Sequence, residues 1–160
     1  MGRVYTLADL KEQRIRWKQE GKKVVFTNGV FDILHRGHVD YLAKARAMGD
    51  VLILGLNSDA SVKRNKGPLR PIVPEQDRAF VLCHLASIDA VCLFDEDTPI
   101  DIISTLVPDI LVKGADYTPD TIVGRDVVEA AGGIVRTIAF VPDRSTSGIV
   151  ETILQRFAAK

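Results

Sequence analysis

Five short apolar runs, rich in β-branched residues, alternate with stretches of helical period along this 160-residue chain. The runs are Lys23–Thr27, Val51–Leu56, Ala90–Phe94, Ile110–Val112 and Ile134–Ile138. Helices are expected over Leu7–Glu20, Gly37–Met48, Pro74 to about Ala86, Thr98–Leu106, Gly124–Ala131 and Ser147–Phe157. Asn57-Ser58-Asp59 caps one more short helix, ending near Arg64, and a loop follows from Asn65 to Val73. Runs that are apolar at successive positions suit strands buried on both faces, and the helices between them serve as crossovers. The pattern predicts a single α/β domain over residues 1–160, with a doubly wound parallel sheet of about five strands. Within it, residues 1–21 are expected to supply a lead helix.

Sheets of this kind bind ligands beyond the carboxyl ends of their strands, at a topological switch point. Polar clusters sit at that edge: Asn28-Gly29, Asn57-Ser58-Asp59, Asp95-Glu96-Asp97, the segment from Lys113 to Asp116, and Asp143 to Ser147. The most specific of these features follows the first run. His35 and His38 bracket Gly37 where Val30-Phe31-Asp32-Ile33-Leu34 leads into a helix. Imidazoles three residues apart on a first helical turn point the same way. There they join free backbone N–H groups and the positive end of the helix dipole. That combination suits a polyanion such as a triphosphate. A zinc site would want a third Cys or His close by, and none is there. His84 falls mid-helix and reads as structural.

Lys+Arg and Asp+Glu both number 21, so the formal net charge is zero, which argues against nucleic acid as the main partner. No apolar stretch approaches the ~20 residues of a membrane span, and no signal segment opens the chain. Cys83 and Cys92 lie among apolar residues without a C-x-x-C pairing, as buried free thiols of a reducing cytoplasm would.

The segment Thr27-Asn28-Gly29-Val30-Phe31-Asp32-Ile33-Leu34-His35-Arg36-Gly37-His38 resembles the signature of the H-x-G-H nucleotidyltransferases, which include cytidylyltransferases and adenylyltransferases. Val51 to Ser61, Lys63-Arg64-Asn65-Lys66-Gly67, Arg70-Pro71, Arg78, Asp97-Thr98-Pro99, Leu111 to Tyr117 and Ser145-Thr146-Ser147 extend the likeness toward heptose 1-phosphate adenylyltransferases. The similarity covers residues 22–157.

The resemblance implies a Rossmann-like fold and a direct, in-line attack of a sugar 1-phosphate on the α-phosphorus of ATP. The products would be an ADP-sugar for the inner core of lipopolysaccharide, and pyrophosphate. It implies catalytic roles for His35, His38, Lys63 and Arg64. Thr27, Asn28, Gly29, Phe31, Gly37, His38, Arg78, Lys113, Gly114, Asp116, Ser145, Thr146 and Ser147 would bind the nucleotide. Asp32, Asn57, Asp59 and Lys66 would serve the substrate side, with Asp32 also ordering the turn. Read without the resemblance, Lys63, Arg64 and Lys66 are an ordinary cationic helix end, and Ser145 an ordinary N-cap. Mg²⁺ is expected with ATP, held mostly by its phosphates. A homodimer is expected too, with Leu7, Leu10, Ile15 and Trp17 available for contacts, though core packing accounts for most of that stripe. The alternative is a cytidylyltransferase using CTP and glycerol 3-phosphate or another phosphorylated alcohol. Phe140-Val141-Pro142-Asp143-Arg144 stands where such enzymes resembling this chain carry an R-T-x-G-I run, which favours ATP.

Overall fold

In a computed structural model, which describes residues 1–115 and 121–158, the elements follow in the order β1 (Arg3–Tyr5), α1 (Leu7–Gln19), β2 (Val24–Gly29), α2 (Arg36–Arg46), β3 (Val51–Asn57), α3 (Asp59–Lys66), α4 (Glu75–Cys83), β4 (Ala90–Phe94), α5 (Ile100–Leu106), β5 (Ile110–Gly114), α6 (Arg125–Ala130), β6 (Ile134–Ile138) and α7 (Thr146–Phe157). The strands form one six-stranded sheet in the order β1-β4-β3-β2-β5-β6, and every pairing is parallel.

The sixth strand is the one element missing from the expected five. Arg3–Tyr5 is too short to show a period, and its pairing with Ala90–Cys92 comes from outside the segment. Gly2 fixes its position. The Gly2 N–H donates to the Cys83 carbonyl at 2.9 Å, and a Cβ on Gly2 would lie 2.5 Å from the Ile88 carbonyl oxygen. Only a bare backbone fits there.

Side chains alternate across the sheet with period two and so build two cores. Val25, Leu52, Leu54, Leu56, Val91 and Val112 face α2 and α4, where Leu42, Ala45, Ala79 and Leu82 cover them. Val24, Phe26, Val51, Ile53, Cys92 and Leu111 face α1, α5 and α6, under Leu10, Trp17, Ile102, Ile103 and Val128. Leu10 and Trp17 of the lead helix are thus core residues, whereas Ile15 is half-exposed. Both cysteines are buried and free. Burial, with the carboxylate of Glu96 adding to it, pushes the Cys92 thiol up to about 11, so it stays protonated.

Helix α4 stops at Cys83, three residues short of the expected end, and His84 is its C-cap and not a mid-helix residue. Helix α7 differs from all the others in burying no residue.

Candidate active site

Strand β2 ends at Asn28-Gly29, and its chain then makes a strained turn. Phe31 has φ +46°, in the left-handed region that costs a bulky residue about 1–3 kcal/mol. Gly29 makes the turn possible, because a Cβ there would lie 2.8 Å from the Phe31 ring. The ring is buried, with its centroid 5.2 Å from that of His38.

Asp32 follows, almost wholly buried, and its carboxylate is fully engaged. It accepts from Arg70 Nε at 2.7 Å and from the backbone N–H groups of Ile72 and Val73. Burial works against its charge, but the Val73 and Ile72 N–H groups and Arg70 together outweigh it. The carboxyl is held below its usual range. Asp32 therefore ties the 67–73 loop to the turn, and neither oxygen is left for a substrate.

His35 is the N-cap of α2, with Nδ1 accepting from the Gly37 N–H at 3.1 Å. Its ring stacks on His38, centroids 3.9 Å apart and planes 24° off parallel. The bare Gly37 lets the two rings lie together, since a Cβ there would meet His35 ring atoms at 3.0 Å. His38 Nδ1 is buried without a hydrogen-bond partner. Burial, then repulsion from His35, lowers His38 to about 4 against a small upward pull from Asp32. Burial and the charge of Arg144 also lower His35. Both imidazoles are therefore neutral at pH 7, and act as hydrogen-bonding groups before any anion arrives.

The stacked pair divides two cavities. His38 lines a larger one of about 560 Å³, together with Asn28, Gly29, Phe31, Asp32, Asn57, Lys66, Arg70, Lys113, Gly114 and Thr146. His35 lines a smaller one of about 310 Å³, shared with Arg144, Ser145 and Gly148 at the start of α7. Lys113 donates to Asn28 Oδ1, tying the ends of β5 and β2 across the larger cavity. Ser145 caps α7 by accepting from the Gly148 N–H at 3.0 Å, and Thr146 donates to the Ile33 carbonyl at 3.3 Å. No group of three or more His, Cys, Asp or Glu side chains among the described residues is placed to hold a metal ion.

Several expected site residues lie elsewhere. Thr27 is fully buried, its hydroxyl paired with that of Tyr41 at 2.8 Å, so it presents nothing to a nucleotide. Arg78, expected on the phosphates, is 1 % exposed. Its donors reach the carbonyls of Val30, Val73 and Asn57 and the carboxylate of Asp59. Asp59 is thereby committed as well. Arg64 is tied up by Asp97 at 2.8 Å, at the cavity's rim, and by Asp95, and neither it nor the exposed Lys63 lines either cavity. Ser147 is exposed and lines neither cavity. Asp116 lies outside the described residues.

Arg70, Asp97, Phe140 and Arg144 fall in segments the sequence marks, without a site role of their own, and all of them line one cavity or the other. Phe140 packs on Tyr41 at 5.6 Å between centroids. Arg144 falls in the polar cluster from Asp143 to Ser147 after the last strand, whereas Phe140 stands just ahead of it.

The sequence model described as cytidylyltransferase-like matches residues 26–153. The chain is 61% identical over 140 residues to the bifunctional protein HldE of Syntrophotalea carbinolica, covering 88% of this chain and 29% of that protein. It is 58% identical over 140 residues to HldE of Geobacter sulfurreducens, again 88% of this chain and 29% of the relative. The chain thus spans under a third of the length of these curated relatives. Among solved structures, a lipopolysaccharide core biosynthesis protein from Thermoplasma volcanium superimposes with a TM-score of 0.62 at 30% identity, covering 76% of this chain and 98% of that one.

Proposed function

Because the chain belongs to the cytidylyltransferase-like family, we propose that it transfers AMP from ATP to a heptose 1-phosphate, giving ADP-heptose and pyrophosphate. One observation carries this reading: the stacked imidazoles stand between two cavities, His38 facing one and His35 the other. A bond cleaved beside such a partition sends its two halves to different sides. The likeness to heptose 1-phosphate adenylyltransferases in the segments from Val51 to Ser147 supports the choice of acceptor, as does the similarity to a lipopolysaccharide core biosynthesis protein.

In this mechanism an oxygen of the sugar phosphate bonds to the α-phosphorus while the bond from that phosphorus to the bridging oxygen of pyrophosphate breaks. No enzyme nucleophile takes part. Negative charge grows on the departing bridging oxygen, where preorganised donors lower the barrier. The neutral rings of His35 and His38 and the N-terminus of α2 supply those donors. The first turn of α7 receives the departing diphosphate beside Arg144 and Ser145. Lys113, steadied by Asn28, neutralises charge on the nucleotide side. Mg²⁺ brought in with ATP would be held mostly by the triphosphate and would supply further charge neutralisation there.

A homodimer in the cytoplasm completes the reading. Helix α7 leaves Ile153, Leu154 and Phe157 exposed, and with Val150 they form an i, i+3, i+4, i+7 stripe. Antiparallel pairing of two copies sets Ile153 against Leu154, Val150 against Phe157, and Glu151 against Arg156 of the other copy, so the stripe matches itself in charge as well as shape. Light scattering on the wild type and Ile153→Glu checks it: a dimer that becomes a monomer is expected, and a monomeric wild type removes the idea.

Pyrophosphate release across ATP, CTP, GTP and UTP, with heptose 1-phosphate and glycerol 3-phosphate as acceptors, tests the reaction. ATP with heptose 1-phosphate is expected to turn over fastest. Faster turnover of CTP with glycerol 3-phosphate would overturn the assignment.

A further inference from the structure

The cation held most firmly at the larger cavity is one to which the sequence assigned no role. Arg70 has its Nε fixed on Asp32 Oδ2 at 2.7 Å, with side-chain exposures of 23% and 1%. Asp32 is itself clamped by two backbone N–H groups, from Ile72 at 2.9 Å and from Val73 at 2.8 Å. The Arg70 guanidinium is thus anchored at one edge only. Its remaining nitrogens have no hydrogen-bond partner among the described residues, and the side chain lines the cavity that Lys66 and Asn57 also line. A planar donor group immobilised by a buried anion, with free N–H groups facing a cavity, matches the oxygens of a phosphate monoester.

We infer that Arg70 binds the phosphate of the acceptor sugar, and this rests on the reaction proposed above. The sheet order decides between the two phosphate-bearing substrates. From β2 the chain moves through β3 to β4 on one side, whereas β5 leads to β6 on the other. The crevice at that switch, between β2 and β5, carries Asn28 and Lys113, and it takes the nucleotide. Arg70 belongs to the connection from β3 to β4, across β2 from β5, and Asn57 ends β3 on that same side. In-line displacement needs the incoming oxygen opposite the departing pyrophosphate, whose cavity opens beyond His35. The flank held by Arg70 is where the attacking group belongs. Lys63 and Arg64, the expected cations, leave that place to Arg70 and Lys66.

Steady-state pyrophosphate release on the full chain tests the assignment, varying heptose 1-phosphate at saturating ATP and then the reverse. Arg70→Gln keeps an amide donor for Asp32 and loses the charge. It should raise KM for heptose 1-phosphate about 30-fold, the worth of a charge-assisted hydrogen bond, with KM for ATP changed less than about twofold. Arg70→Lys keeps the charge without the planar fork, and should show the same selectivity at about 5-fold. Equal rises in both KM values, or a rise for ATP alone, would overturn it. Should Arg70→Gln fail to fold by circular dichroism, Arg70→Lys decides on the same criterion. Calorimetry with heptose 1-phosphate separates the two readings. A wild-type chain that binds the sugar, more weakly in Arg70→Gln, yet releases no pyrophosphate sinks the transfer reaction and upholds the Arg70 site. A wild type that turns over while Arg70→Gln keeps its sugar KM sinks the Arg70 site alone.

Discussion

Two helix N-termini meet at the histidine pair, and they stand on different foundations. Helix α2 buries Gly37, Tyr41, Leu42 and Ala45 against the sheet, and the Thr27–Tyr41 hydroxyl pair fastens it to β2. Helix α7 buries nothing. The Ser145 cap and the bond from Thr146 to the Ile33 carbonyl hold its first turn. Under the proposed reaction the difference separates two tasks that share one ligand. The α2 wall is fixed before substrate arrives, so its donors need no reorganisation during reaction. The α7 wall draws little on the core, so under the proposed reaction its order should depend on what binds against it, phosphate at its start or a second copy along its stripe.

The largest contrast should appear in stability. Leu42→Ala should cost about 3 kcal/mol by leaving a cavity under α2. Ile153→Ala, at a half-exposed position, should stay within about 0.5 kcal/mol in the monomer. Urea denaturation measures both, and comparable losses would erase the distinction between the walls. In catalysis the order of magnitude is set by donor loss. His38→Ala should reduce kcat about 10²-fold while leaving the melting temperature nearly unchanged. Undiminished turnover in that folded variant would remove the pair from the chemistry.

Smaller effects belong to α7. Ser145→Ala deletes a cap worth about 1 kcal/mol to its helix. Since α7 buries no residue, the loss should appear as weaker ATP binding and not as a lower melting temperature. A melting shift matching that of a core variant would show α7 to be integral to the fold.

The histidine pair can also be read through pH. Folded His38 titrates near 4 against 6.5 for an ordinary imidazole. The unfolded chain therefore takes up the proton first, and this contribution to stability is full above about 6.5 and is lost as pH falls toward 4. A bound triphosphate favours the imidazolium and should raise that pKa, so ATP should bind more tightly as pH falls below neutrality. NMR titration of His38 with and without ATP reads the shift, and a downward shift on binding would contradict the placement of the phosphates.

The parts legible in the sequence are those whose cause is local. Strand runs, the β2-to-α2 turn and the histidine pair carry their own period, caps and glycines, and they stand where the residues predicted. The arginines do not, because a guanidinium is assigned by acceptors distant in sequence. Arg78 looked like a phosphate ligand until carbonyls from Val30, Asn57 and Val73 converged on it. Arg64 likewise follows the acidic turn after β4, some thirty residues on. Strand β1 is illegible in the sequence for the same reason: its three residues become a strand only through β4 and the opening left by Gly2.

Arg78 has one further consequence. A single interior cation fastens the turn after β2, the end of β3, the start of α3 and the approach to α4, so these rims share one latch. Releasing any one of them strands the others' acceptors, and the mouth of the protein should breathe in a single cooperative opening, with backbone amides there exchanging together and not loop by loop.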